Sequence, residues 1–113
     1  MPAIVLEIDL EAGRPAADTA VINMKNSLMA CPRRGIRAAL LIHGYGSSGV
    51  GGAIRLAVRG ALADGSLSAV VRDFVPGEQW HWRKRELLAQ CPALARYERR
   101  IANNEGVTVV LLR

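Results

Sequence analysis

The sequence predicts a single-domain α/β protein, a two-layer sandwich of order βαβαβ(α)β in which helices pack on a four-stranded mixed sheet. Three observations predict it. Short segments of β character alternate with stretches of helical period, so successive strands need crossover connections. The chain has 113 residues, half of them apolar, which suits one core that buries roughly two thirds of the unfolded surface. No internal repeat, low-complexity tract or linker interrupts the order.

Ile4 to Leu10 alternates apolar and acidic residues after Val5, as a half-buried strand does. The segment Glu11-Ala12-Gly13-Arg14-Pro15 breaks it, and Pro15 suits the first position of a helix. Ala17, Val21, Met24 and Leu28 then form one apolar face, which Cys31-Pro32 and Gly35 end. Arg37 to His43 is a continuous apolar run of strand length, suited to a central strand covered on both faces. A glycine-rich stretch, Gly44 to Gly52, leads into a second helix carrying Ile54, Ala57, Val58, Ala61 and Leu62 on one face. Arg55 and Arg59 sit one turn apart on its other face, and Asp64-Gly65 closes it. Leu67 to Val75 is the third strand, stopped by Pro76-Gly77, and Val107 to Leu112 is the fourth. Residues 78–106 are too many for a hairpin loop. Leu87, Leu88, Leu94, Tyr97 and Ile101 mark short helices there, broken at Cys91-Pro92.

Fifteen Lys or Arg against ten Asp or Glu give a net charge of +5. Residues 1–36 are neutral, with four basic and four acidic side chains, whereas residues 37–77 have four against two and residues 78–113 seven against four. The whole excess follows the first helix and suits a polyanionic partner. Cys31 and Cys91 each precede a proline and share no ligand spacing with His43 and His81, so no zinc site is expected and the thiols are read as reduced. Three acids in the first eleven residues fit no signal peptide, and no apolar run approaches the roughly eighteen residues of a membrane span. A cytoplasmic protein with no membrane partner is the expectation.

The chemistry concentrates where the second strand runs into the glycine-rich turn. Glycines allow positive φ and close approach of a ligand, while free amides at a helix start favour an anion. Without a ligand, the same glycines make a tight connection. Gly44, Gly46 and Gly49 spell G-x-G-x-x-G, with Asp73 near the end of the next strand. A dinucleotide fold is disfavoured, because the motif follows the second strand and too little chain remains for a second nucleotide-binding half. An α/β-hydrolase oxyanion turn at His43-Gly44-Tyr45-Gly46 lacks its G-x-S-x-G elbow, since Ser47 and Ser48 stand in the wrong frame.

A first strand ending Ile8-Asp9-Leu10, a central strand ending Leu40-Leu41-Ile42-His43-Gly44-Tyr45-Gly46, the helix Ile54 to Leu62 and a terminal Gly106-Val107-Thr108-Val109-Val110-Leu111-Leu112-Arg113 together resemble the small MutS-related domain, the Smr domain. The resemblance covers about three quarters of the chain. It implies a compact α/β fold and binding of DNA or RNA, and in several members nicking or cleavage. The chain departs from the family pattern in three places. Glu11 stands where members place a His, Tyr45 stands where a Lys is common, and the segment from Glu78 to Asn104 has no counterpart.

Candidate site residues follow. His43 at the mouth of the turn would act as acid or base, with Asp9 and Glu11, spaced i and i+2, orienting it or holding a Mg or Mn ion. The bland alternatives are a His bonded to its own turn and two solvated carboxylates. Gly44, Tyr45, Gly46, Arg55 and Arg59 would meet phosphate, Tyr45 also stacking on a base. Trp80 and Trp82, followed by Arg83, Lys84 and Arg85, combine aromatic planes with charge as single-stranded nucleic acid requires. Alternatively a Trp anchors the insertion on the sheet. Two functions are consistent with this: a nucleic-acid-binding domain with endonuclease activity, and a module without cleavage activity in which the insertion recognises nucleic acid or a protein partner.

Overall fold

The computed structural model describes residues 4–44 and 50–113. Strands β1 (Val5–Asp9), β2 (Ala38–Ile42), β3 (Val71–Pro76) and β4 (Val107–Leu112) form one sheet in the order β1-β2-β4-β3. β1 runs parallel to β2, while β4 lies antiparallel to both β2 and β3. Helix α1 (Ala17–Ala30) joins the parallel pair, and α2 (Val50–Ala63) crosses from β2 to β3. Between β3 and β4 lie α3 (Trp80–Gln90), a 3-10 stretch Pro92–Tyr97 and the short α4 (Glu98–Ile101).

The α/β class and the mixed four-stranded sheet agree with the sequence. The two central strands are the two continuous apolar runs, because only strands covered on both faces tolerate apolar residues at every position. β4 is buried throughout and β2 nearly so, whereas the edge strands β1 and β3 keep polar residues facing out.

Strand alternation sorts the core into two clusters. Ala39, Leu41, Val110 and Leu112 face α1 and α2, meeting Met24, Leu28, Ile54 and Val58. Ala38, Leu40, Val109 and Leu111 face the other way, onto Trp80, Leu87, Leu94 and Ile101. The α1–α2 and sheet sandwich therefore gains a third layer from the segment between β3 and β4, where the sequence predicts two layers. Cys31 lies in the first cluster and Cys91 in the second, so the sheet separates the two free thiols, and burial pushes both up.

Two boundaries differ from the sequence reading. α1 begins at Ala17 with extended Ala16 as its cap, leaving Pro15 outside the helix. Residues 67–70 are a turn rather than strand, since the amides of Val70 and Val71 both bond the Leu67 carbonyl. Gly77 opens the β3–β4 connection, as the sequence predicts, at a point of close approach, where a Cβ would stand 2.2 Å from the Asn104 carbonyl oxygen and 2.7 Å from that of Ile101.

Candidate functional site

The β2 end, the start of β4 and one face of α2 meet around His43. The ring is fully buried. Its Nδ1 lies 2.7 Å from the Gly44 carbonyl oxygen and its Nε2 lies 2.8 Å from Thr108 Oγ1. A carbonyl only accepts, so Nδ1 carries the proton and Nε2 accepts from the Thr108 hydroxyl. Thr108 Oγ1 in turn accepts from Arg59 Nε at 3.1 Å.

Arg59 is held on its far side by Glu78, with both carboxylate oxygens at 2.8 Å from its two terminal nitrogens. The carbonyls of Glu105 and Val107 take further bonds. Partial burial would push the Glu78 carboxyl up, but the Arg59 guanidinium overrides this and holds it below its usual range. His43 shifts the other way for a base: desolvation drives its pKa down to about 4, the bond to the Gly44 carbonyl opposes this, and the charges of Arg59 and Arg55 add to it. The result is a continuous relay, Glu78 to Arg59 to Thr108 to His43 to Gly44, with a neutral imidazole inside it.

This relay leaves His43 no nitrogen for a substrate. Of the two carboxylates expected beside it, Glu11 reaches the neighbouring Gly44 and Asp9 turns to the other face of the sheet. β1 and β2 are register partners, Asp9 opposite Ile42, yet alternation puts Asp9 with Val5 and Glu7 on the α3 face, while His43 shares the α2 face with Ala39 and Leu41. Asp9 Oδ1 instead accepts the Glu11 amide at 3.0 Å. The Glu11 carboxyl rests against Gly44, whose φ of +77° favours glycine. Among the described residues no three His, Cys, Asp or Glu side chains group as metal ligands.

The anion-binding parts are partly consumed. The amides of His43 and Gly44 both bond the Gly106 carbonyl, at 3.0 and 3.1 Å, so neither is free for phosphate. Arg55 reaches Glu105 at 3.4 Å in an exposed pair. Tyr45 and Gly46 lie outside the described residues.

On α3 the two tryptophans separate. Trp80 is 1% exposed and sits in the core, so it is an anchor and not a stacking platform. Consecutive helical turns point it down the same side as Leu87. Trp82 is 73% exposed, edge-on to His81 at 5.8 Å between ring centres, with Arg85 exposed one turn on. Arg83 pairs with Asp73 and Glu86, whose bonds raise its pKa, and Lys84 pairs with Glu98.

Thr108, Glu78 and Glu105 escape a motif search. Thr108 had a signal nonetheless: a single hydroxyl inside an otherwise apolar strand must find buried partners.

No protein-family model matches the sequence. No curated protein matches it either. Among solved structures, the crystal structure of the Smr domain of Thermus thermophilus MutS2 matches with a TM-score of 0.59 and 25% identity, over 95% of this chain and 96% of that one. The chain has the fold of that domain, and the likeness of its Asp9, His43 and Thr108 segments to the Smr pattern accords with it. No helix among the described residues is long and apolar enough to cross a membrane.

Proposed function

We propose that this Smr-like chain is a nucleic-acid-binding domain that engages a single strand on the outer face of its insertion, and that His43 organises the fold and performs no proton transfer. Trp82 carries the reading. A tryptophan at 73% exposure beside His81 and Arg85 has no part in the core, and an indole plane with a cation one turn away meets the needs of base stacking and phosphate neutralisation together. The fold match and the basic excess after residue 36 support the same partner.

The test is anisotropy of labelled single-stranded DNA and RNA at low salt. Trp82→Ala should weaken binding on the order of tenfold, in line with one lost stacking contact. Undetectable binding by the unaltered chain would sink the reading.

A second reading, phosphodiester cleavage, draws on one observation: the exposed Glu11 carboxyl rests against Gly44 at the entrance to the turn. Glu11 would serve as base, or with Asp9 hold a Mg or Mn ion. Cleavage of labelled strands with and without either ion, lost in Glu11→Gln, would establish it. His43→Ala is a poor probe, since removing a buried member of the relay disturbs the fold itself.

A further inference from the structure

The end of the sheet opposite His43 holds a second convergence of charge. β4 runs antiparallel to β2 and β3, so the starts of β2 and β3 lie beside its finish: the Leu112 amide bonds the Arg37 carbonyl and the Arg113 amide bonds the Val70 carbonyl, each at 3.0 Å. Arg37, Arg72 and Arg113 consequently line one recess of about 240 Å³, closed by Gln90, Leu111 and Leu112.

What leaves these three arginines open to an anion is that no carboxylate among the described residues occupies them. Arg55, Arg59, Arg83, Lys84 and Arg100 each pair with a carboxylate. Among the described residues the guanidiniums of Arg37, Arg72 and Arg113 pair with none. Two of them are nonetheless positioned. Gln90 Oε1 accepts from one Arg72 terminal nitrogen at 3.0 Å, and the Ser68 carbonyl accepts from Arg113 Nε at 2.7 Å. Each is thereby anchored through one nitrogen, with the remaining N–H donors uncommitted. All three side chains are exposed, so a ligand can enter.

We propose that this recess binds a phosphate group, supplied by a nucleic-acid strand. Three arginines lining one concave, polar site offer forked donors to tetrahedral oxygens, and arginine is the side chain suited to such two-point contact. A recess of this size takes one phosphate with part of its sugar. The phosphate itself follows from the recess alone; its source rests on the nucleic-acid reading above.

The experiment titrates the full chain, isotope-labelled, with inorganic phosphate against chloride at constant ionic strength. Phosphate should shift the backbone amides of Ala38, Val71 and Arg113, and the shifts should vanish in the double variant Arg37→Gln with Arg72→Gln. With a labelled single strand, the same variant should lose affinity on the order of tenfold, and its salt slope should shrink by about 1.4, two contacts at about 0.7 each. Both substitutions are on exposed side chains, and thermal unfolding checks that the fold is kept. Absence of shifts at those amides overturns the site. Shifts with unaltered strand affinity overturn the nucleic-acid source in favour of a small phosphorylated ligand. A strand affinity that falls in Trp82→Ala but holds in the arginine double variant, with no phosphate shifts, overturns this proposal and leaves the insertion reading standing.

Discussion

His43 Nε2 and Thr108 Oγ1 stand 2.8 Å apart, and the direction of the bond between them is set by what each does on its other side. Nδ1 must donate to the Gly44 carbonyl, and Thr108 must accept from Arg59 Nε, so the hydroxyl proton points to the ring. Nitrogen NMR should find the Nδ1–H tautomer. Thr108→Val removes the bridge and strands two buried polar atoms, at a cost of about 2 kcal/mol in denaturant unfolding. Thr108→Ser keeps the hydroxyl and should cost about 0.8 kcal/mol for the lost methyl.

The same burial makes stability depend on pH. An unfolded chain protonates His43 near its ordinary 6.5, the folded chain only near 4. Between those values the unfolded state binds the extra proton, so stability falls as pH falls, by about 3 kcal/mol across the window. Above 6.5 both states are neutral and this contribution is flat. Glu78, held below its usual 4.5, adds its own loss only at the acid end. Urea unfolding from pH 7.5 to pH 4.5 should show the decline, and His43→Gln should abolish most of it.

Gly77 and Gly35 offer a comparison of two glycine requirements. A Cβ at Gly77 meets backbone carbonyls that cannot swing away, at 2.2 and 2.7 Å. Gly77→Ala should cost upwards of about 2 kcal/mol and loosen the junction between β3 and β4. Gly35 has open space but a φ of +71°, so Gly35→Ala should cost only about 1 kcal/mol, the left-handed penalty. Equal melting losses for the two would show that the carbonyl contacts do not matter.

Trp80 and Trp82 should part company in the same way. Trp80→Ala empties a core position and should cost about 3 to 5 kcal/mol. Trp82→Ala removes a side chain that is mostly in solvent and should leave stability within about 0.5 kcal/mol. Its indole emission should be quenched by an added strand while that of Trp80 is not, which single-tryptophan variants can read.

The periodicity of the apolar residues made the elements and their order legible. RAALLIH and VTVVLL declared themselves as central strands because burial on both faces leaves no polar position. The same two runs implied cover on the second face, and Leu87, Leu94 and Ile101, each seven residues on from the last, supply it. What stayed hidden was register. Whether Asp9 shares a face with His43 depends on which residues of β1 and β2 pair, and a shift by one residue reverses the answer. The partners of Arg59 were equally out of reach, since Glu78 and Thr108 come to it through the third and fourth strands and no local spacing links them. Which tryptophan points inward was readable in principle, because Trp80 lies on the Leu87 side of a helix and Trp82 does not.

The buried relay also bears on time. Thr108 is 65 residues from His43 and 49 from Arg59 along the chain, and it lies on β4, the last of the four strands in chain order. Its bonds close only after β4 has slotted between β2 and β3, when the entropy of those long loops has already been surrendered. Contacts that form after the folding barrier leave the refolding rate alone and set the escape rate instead. The histidine that looked like chemistry is expected to serve as a latch: in stopped-flow chevrons Thr108→Val should speed unfolding and leave refolding unchanged, and a slowed refolding arm would place its bonds before the barrier.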